Sequence, residues 1–358
     1  MADLSTCPPL TRESVEAAYT LVKPFVHRTP VLTSQTLDTI ASTPQTNGAA
    51  KPSIHLFFKC ENQQKIGAFK ARGAFHAIQR LFSEVGKEEV QRRGVITHSS
   101  GNHAQALAFA AKTFGVPAHI VMPSISTPSK VEGTKSHGAN VVFSGSTSQE
   151  REVVAAAVIK ETNAIFVPPY NHPDILLGQG TASLEFETQV AETANATLDA
   201  VLTPLGGGGL LSGTATFFAP TSTRVFGTEP SFQGGDDGRR GLEQGQRIES
   251  VETLTIADGL RTPVGPIPWE IIADKKKVAG LYSVTEDEIK AAMKLVLERM
   301  KVVIEPSSAV PLAVVLYNED FRRLVEEEQK GQTWNIGIIF SGGNTTMEAI
   351  AELFKAAS

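Results

Sequence analysis

The fold is decided by "GVITHSSGNHAQALAFAAKTFGVPAHIVMP", residues 94–123. The stretch opens on a short apolar run, passes a small polar turn, and continues as an alanine-rich segment closed by Gly115. It ends on a second apolar run, residues 118–123. Short buried strands alternating with helices specify a mostly parallel sheet covered by helices on both faces. The alternation continues through "PSKVEGTKSHG", "NVVFSG", "SQEREVVAAAVIKETN" and "AIFVPPY", so 94–170 reads as one compact unit. Upstream, Thr11 can cap a helix over 10–26, with Glu13 and Glu16 in its first turn. "TPVLTSQTL" reads as a short extended piece, 43–53 as a surface loop, and "IHLFFKCE" (54–61) as a strand. A helix follows through about residue 84. A second alternating series comes later: "LDAVLTPLG", "GGLLSGTATFFA" and "RVFGTEP", then the periodic helix "TEDEIKAAMKLVLERM" (285–300). "AVPLAVVLYN" reads as another helix and "NIGIIFSGGN" (335–344) as a late strand.

A chain of 358 residues exceeds the size at which one core stops growing, which favours two domains sharing a cleft. Hydrophobic content of 41% supplies a sizeable core, and a net charge of −5 without a basic run speaks against nucleic acid or an anionic membrane as partner. Two cysteines, Cys7 and Cys60, with no CxxC pair, argue against a disulfide scaffold or a thiolate metal site and fit a reducing compartment. The opening residues lack a signal-peptide pattern, and no apolar run approaches bilayer length. The expected location is the cytoplasm.

Three glycine-rich turns follow strands, where open α/β sheets place their ligands. In "THSSGNHAQ" (97–105), Ser99, Ser100, Gly101 and Asn102 stand between strand and helix, so their amides can hold a carboxylate or simply cap the helix. In "TPLGGGGLLSG" (203–213), four consecutive glycines are entropically costly, which points to close backbone approach to a phosphate. The spacing matches neither a Walker loop nor a dinucleotide fingerprint. In "FSGGNTT" (340–346), Ser341 ends a strand and on its own reads as a turn serine. Lys70 stands between Phe69 and Ala71, with glycines at 67 and 73. A lysine in so tight an apolar setting can have a depressed pKa and react as an amine. An aldehyde cofactor with one phosphate would use both this lysine and the glycine turn. Pyridoxal phosphate fits, although a surface lysine at a helix start remains open on these residues alone.

Seven stretches, "GAFKARGA", "THSSGNHAQALAFAAK", "GQGTASLE", "PLGGGGLLSG", "TIADGLRTPVG", "MKVVIEP" and "SGGN", occur in this order from near residue 70 to the C-terminal region. In them the chain resembles the serine racemase and serine/threonine dehydratase family of pyridoxal-phosphate enzymes, fold type II. That resemblance implies two doubly wound, mostly parallel-sheet domains with the cofactor in the cleft between them. The large cofactor-binding domain would comprise 1–88 and 172–358, and the small one 89–171. It implies Lys70 as the Schiff-base lysine, Phe69 beside the cofactor ring and Asn102 at its 3′-oxygen. Gly206, Gly207, Gly208, Gly209 and Leu210 would cradle the phosphate. Ser341, with Gly342 in the same turn, would face the pyridine nitrogen. Ser99, Ser100, Gly101, Asn102 and His103 would meet the substrate, with Tyr170 and Arg261 on its side-chain end. Ser100 matches the opposite-face acid/base of racemases, where typical threonine dehydratases read alanine. A serine that only binds the substrate carboxylate is the competing reading.

The family also holds a divalent cation between a glutamate after a strand, a backbone carbonyl and an aspartate shortly beyond. "TEPSFQGGDDG" (228–238) carries a longer loop, and the expected ligands are Glu229, the Gly235 carbonyl and Asp237, binding Mg²⁺, Ca²⁺ or Mn²⁺. The resemblance implies a homodimer that racemises or dehydrates a small β-hydroxy amino acid such as serine, threonine or 3-hydroxyaspartate. The alternatives are an L-threonine dehydratase, a secondary-metabolism epimerase, or a non-catalytic ligand-binding relative.

Overall fold

The computed structural model describes residues 4–99, 101–126, 128–145 and 148–355. Ten strands form two sheets. They are β1 (Val31–Thr33), β2 (Ile54–Cys60), β3 (Val95–His98), β4 (Ala118–Pro123), β5 (Asn140–Ser144), β6 (Ile165–Phe166), β7 (Ala200–Pro204), β8 (Arg224–Pro230), β9 (Gly280–Val284) and β10 (Trp334–Phe340). The six-stranded sheet runs β1-β2-β10-β7-β8-β9, and the four-stranded sheet β5-β4-β3-β6. Among the strands of the described residues the β1–β2 pairing, at an edge, is antiparallel and the other strand pairings are parallel.

The apolar runs explain why both faces are covered. In β2, Phe58 joins a cluster with Ile338, Phe340 and Val310, while its neighbour Phe57 joins one with Ile339, Leu177 and Phe186 on the other face. The four-stranded sheet does the same with Val95 and Ile120 on one side, Ile96 and Val121 on the other. The helix Lys70–Val85 lends Ala71, Phe75 and Ile78 to the core of the four-stranded sheet. Its second residue on, Arg72, reaches instead into the larger unit.

The helix Pro173–Ala194 lies between the helix Lys70–Val85 and the helix Gly209–Phe218. Its two glycines make these crossings close. A Cβ on Gly178 would come 2.7 Å from Gly73 Cα, and one on Gly180 would come 2.7 Å from the Gly213 carbonyl oxygen. One helix therefore fixes both the element that begins at Lys70 and the element that follows the glycine turn.

Strand order reverses between β10 and β7, because the chain moves outward through β8 and β9 and then returns to lie beside β2. Ligands of open α/β sheets bind at such a switch, beyond the carboxyl ends of the strands. The turns after β7 and β10 follow carboxyl ends at that switch, the turn 99–102 follows the carboxyl end of β3 in the four-stranded sheet, and Lys70 comes ten residues after the end of β2.

Candidate active site

Lys70 is the first residue of its helix and is partly buried. Its ammonium Nζ donates to the Pro169 carbonyl at 2.8 Å and lies 5.2 Å from the centroid of the Phe69 ring. Burial pushes its pKa down to about 8, against the opposing pull of the Glu305 carboxylate. The turn after β10 is tied to the same spot: the Phe69 amide donates to the Ser341 carbonyl at 3.0 Å, and Ala68 bridges to Gly342. Ser341 is buried, with its Oγ 3.1 Å from Ser308 Oγ. Ser308 Oγ also donates to the Gly342 carbonyl at 2.6 Å and accepts the Gly342 amide at 2.7 Å, which commits its single proton. The Ser341 hydroxyl is thus a neutral group held at the end of β10.

The glycine turn opens the helix Gly209–Phe218. Among the described residues no protein acceptor takes the amides of Gly206, Gly207, Gly208, Gly209 or Leu210. The first amides of a helix have no partner inside it, and together with its dipole they suit an anion. Gly208 has φ +94°, a conformation that disfavours any side chain. A single phosphate fits this cradle, and Lys70 at the neighbouring carboxyl edge fits an aldehyde.

Asn102 begins the helix Asn102–Phe114 after β3. Its amide Nδ2 donates to both oxygens of Glu305, at 3.0 and 3.2 Å, and its Oδ1 accepts from Asn344 Nδ2 at 2.8 Å. With Asn344 Nδ2 donating on one side and Glu305 accepting on the other, the two partners together set which way the Asn102 amide faces. Glu305 stands at the N-cap position of the helix Pro306–Tyr317 without capping it by its side chain, also accepts the Asn344 amide at 3.2 Å, and is 5% exposed. Burial, with Asp258 nearby, pushes its carboxyl up to about 7. The motif "MKVVIEP" contains Glu305, but nothing in the sequence marks a role for it, for Ser308 or for Asn344. What binds them to the site is a set of contacts across more than two hundred residues of chain, as the Asn102–Glu305 separation of 203 shows.

The remaining expected residues are distributed unevenly. Ser99 Oγ accepts the Gly101 amide at 3.4 Å, while Ser100 lies outside the described residues. His103 is buried, places Nε2 3.2 Å from the Val167 carbonyl, and is held down to about 3 by burial and the Lys70 charge. It is a neutral imidazole under the site rather than an acid in it. Tyr170 packs against the glycine turn. Arg261 is exposed and spends its guanidinium on the Thr255 carbonyl, at 3.0 and 2.7 Å, so it holds a loop instead of reaching into the cleft.

The chain matches the family described as pyridoxal-phosphate dependent enzyme over residues 22–342. It belongs to that family. A serine racemase of Arabidopsis thaliana is 40% identical over 345 residues, covering 96% of each chain. A beta-hydroxyaspartate dehydratase of Paracoccus denitrificans is 37% identical, covering 95% of this chain and 98% of that one. The crystal structure of serine racemase from Dictyostelium discoideum superposes with a TM-score of 0.80 at 40% identity, covering 94% of this chain and 99% of that one. The fold is therefore that of the type II pyridoxal-phosphate enzymes, and the chain is an enzyme of that kind. Among the described residues no helix is long and apolar enough to cross a membrane.

In this member of the family the helix that begins at Lys70 is braced by a buried ion network that the sequence did not disclose. Arg72 pairs bidentately with Glu61 at 2.7 and 2.8 Å and with Glu185 at 3.1 and 2.7 Å. Lys59 donates to Glu185 and Gln189, both at 2.7 Å, and to the Thr29 carbonyl at 2.8 Å. A separate trio, Cys7, His172 and Asp174, also lies together. There His172 Nδ1 accepts the Asp174 amide at 3.2 Å, and Asp174 pairs with Arg80, so these groups serve each other and the start of the helix Pro173–Ala194.

The 229–237 loop presents a mixed picture. Both oxygens of Glu229 accept amides of the helix Asp237–Gln244, from Gly238 and Arg239, at 2.8 Å each. Asp236 is clamped by Arg239 and Arg240, which leaves Asp237 as the loop's other carboxylate free of a basic partner. Asp237 Oδ2 accepts the Val264 amide at 3.0 Å. Burial raises Glu229 well above the usual range, with Asp237 adding to it, and lifts Asp237 to about 6. Two buried carboxyls are donors of the kind a hard cation takes.

Proposed function

We propose that the enzyme removes the α-proton of a small β-hydroxy amino acid such as serine, threonine or 3-hydroxyaspartate. It would return the opposite enantiomer, or expel the β-hydroxyl to leave a 2-oxo acid and ammonia. The observation that carries this reading is the meeting of Lys70, the unsatisfied amides of the glycine turn and the neutral Ser341 hydroxyl at one switch point. The relatives named serine racemase and beta-hydroxyaspartate dehydratase support it.

When bound, pyridoxal phosphate supplies the electron sink for the pair left on Cα. This chain's residues would do the rest. The amides of Gly206–Leu210 would hold the phosphate, Phe69 would flank the ring, and Asn102, held between Glu305 and Asn344, would face the cofactor's 3′-oxygen. Ser341 would meet the ring nitrogen with a hydroxyl, which does not force a proton onto it as a carboxylate would. Lys70, poised near pH 8, moves the Cα proton on its own face. Ser100 serves the other face, flanked in the chain by Ser99 and Gly101. Arg151 is half-buried, and its charge acts on both His98 and Tyr170. The donors Glu229, Asp237 and the Gly235 carbonyl would hold Mg²⁺ or a similar cation. We read the protein as a homodimer of the cytoplasm; the buried Cys60, whose thiol burial pushes up to about 12, suits a reducing compartment.

Ser100→Ala tests the two-base reading. Racemisation should fall by about 10²–10⁴-fold, because the loss is that of one general acid–base. Dehydration of the enantiomer whose α-proton faces Lys70 should persist, and dehydration of the other should fail. Rates of both reactions from each pure enantiomer decide it. A uniform loss would make Ser100 a carboxylate-binding residue.

A further inference from the structure

The segment that leaves β6, residues 169–172, touches the site at two ends. The Pro169 carbonyl accepts from Lys70 Nζ at 2.8 Å. The next residue, Tyr170, lays its ring on the glycine turn. A Cβ built on Gly207 would lie 2.4, 2.5 and 2.6 Å from Tyr170 Cγ, Cδ1 and Cδ2. Three near-equal distances place the missing Cβ over the face of the ring. A Cβ on Gly265 would lie 2.9 Å from Tyr170 Cε2, and one on Gly209 would lie 3.2 Å from Tyr170 Cβ. The Gly265 amide donates to the Gly207 carbonyl at 3.1 Å, so two of the three glycines are joined to each other around the ring. Asn171 then pins the segment by accepting the Ile267 amide at 3.0 Å.

Gly207 is not among the residues with positive φ. Its glycine is required for room, and the room is taken by tyrosine. Gly208, by contrast, is fixed by its own backbone, as its φ of +94° shows.

We propose that Tyr170 is a positioning residue that sets the glycine cradle at a fixed distance from Lys70. A cofactor held covalently at one end and by its phosphate at the other tolerates only one span between the two holds. The peptide joining Pro169 to Tyr170 ties them together: its first residue takes the amine, and its second seats the cradle. Misplacing reacting groups by about 1 Å costs about 10²-fold. The inference rests on the reading of the glycine turn as the phosphate site.

The test is a double-mutant cycle on Gly207→Ala and Tyr170→Ala, read in two ways: melting of the apoprotein, and affinity for pyridoxal phosphate by absorbance titration. Gly207→Ala should lower apoprotein melting by several degrees, since the clash is with the protein itself. It should also weaken cofactor binding by about 10²-fold. Adding Tyr170→Ala should restore most of the melting temperature and about tenfold of the affinity. Tyr170→Phe should match wild type in apoprotein melting and in cofactor affinity, because the ring is the part in contact. Tyr170→Leu, which fills volume without a flat face and guards against a misfolded alanine variant, should weaken the cofactor about tenfold. The proposal is overturned if Gly207→Ala leaves apoprotein melting unchanged, or if the double variant melts and binds no better than Gly207→Ala alone. The glycine would then be reserved for the phosphate. Neither outcome touches the proposed function, whose failure would appear separately, as wild type that binds no pyridoxal phosphate.

Discussion

Lys59 and Lys70 sit eleven residues apart at either side of the end of β2, and burial lowers the pKa of both. Their surroundings differ in what meets the charge. Lys59 is wholly enclosed and its three hydrogens go to Glu185, Gln189 and the Thr29 carbonyl, with a carboxylate in direct contact. Lys70 has one carbonyl, that of Pro169, and feels Glu305 only at a distance. Desolvation alone therefore does not mark a reactive lysine. Desolvation without a contacting carboxylate does, because the amine then has little to lose by giving up its proton or its freedom.

Substitutions at the two lysines should separate these roles. Lys70→Ala should abolish turnover while leaving the fold intact, measured by a racemase and dehydratase assay beside thermal melting. A variant that still turns over substrate would erase the distinction. Lys59→Met should do the reverse. It leaves Glu185 without one of its two cations, and removing one partner of a buried pair costs about 3–5 kcal/mol. Turnover per folded molecule should survive, as followed by denaturant unfolding and active-site titration. Loss of turnover without loss of stability would make Lys59 part of the chemistry.

A smaller effect is expected from the acidic loop. If Glu229, Asp237 and the Gly235 carbonyl hold a divalent cation, thorough chelation should lower the melting temperature, and added Mg²⁺ should restore it. The cation contributes about 2.7 kcal/mol at a hundredfold excess over its dissociation constant. Unchanged melting would mean that the helix-start amides of Gly238 and Arg239 satisfy Glu229 on their own.

The smallest effect is a slope. Glu305 holds its proton up to about pH 7 in the folded protein, above the ordinary 4.5. Between those values the native state binds more protons than the unfolded chain, so this group makes stability fall as pH rises from about 4.5 to 7. Lys70 acts in the opposite direction at higher pH: stability gains as pH rises from about 8 to 10.5. Glu305→Gln should remove the acid-side fall, so that its melting temperature gains on wild type between pH 5 and 7. Parallel curves would show that Glu305 titrates normally.

The sequence carried the alternation of strand and helix because each buried strand is a local apolar run. "IGIIF" marks β10 without ambiguity. Its place between β2 and β7 was not legible, since strand order is a tertiary property. The helix Pro173–Ala194 escaped the sequence reading. Its Pro173, Gly178 and Gly180 look like breakers until the two helix crossings they permit are seen. The three glycine turns and Lys70 were legible by residue type and family motif. Glu305 and the partners of Lys59 and Arg72 were not, because a charged residue in a sequence carries no sign of whether water or another side chain will meet it.

Reduction with borohydride in the presence of pyridoxal phosphate, followed by peptide mapping, tests the distinction between the two lysines most directly. The expected result is one cofactor equivalent fixed on the peptide containing Lys70, with Lys59 unlabelled. Label on Lys59 or on any other lysine, with Lys70 unmodified, would contradict the account.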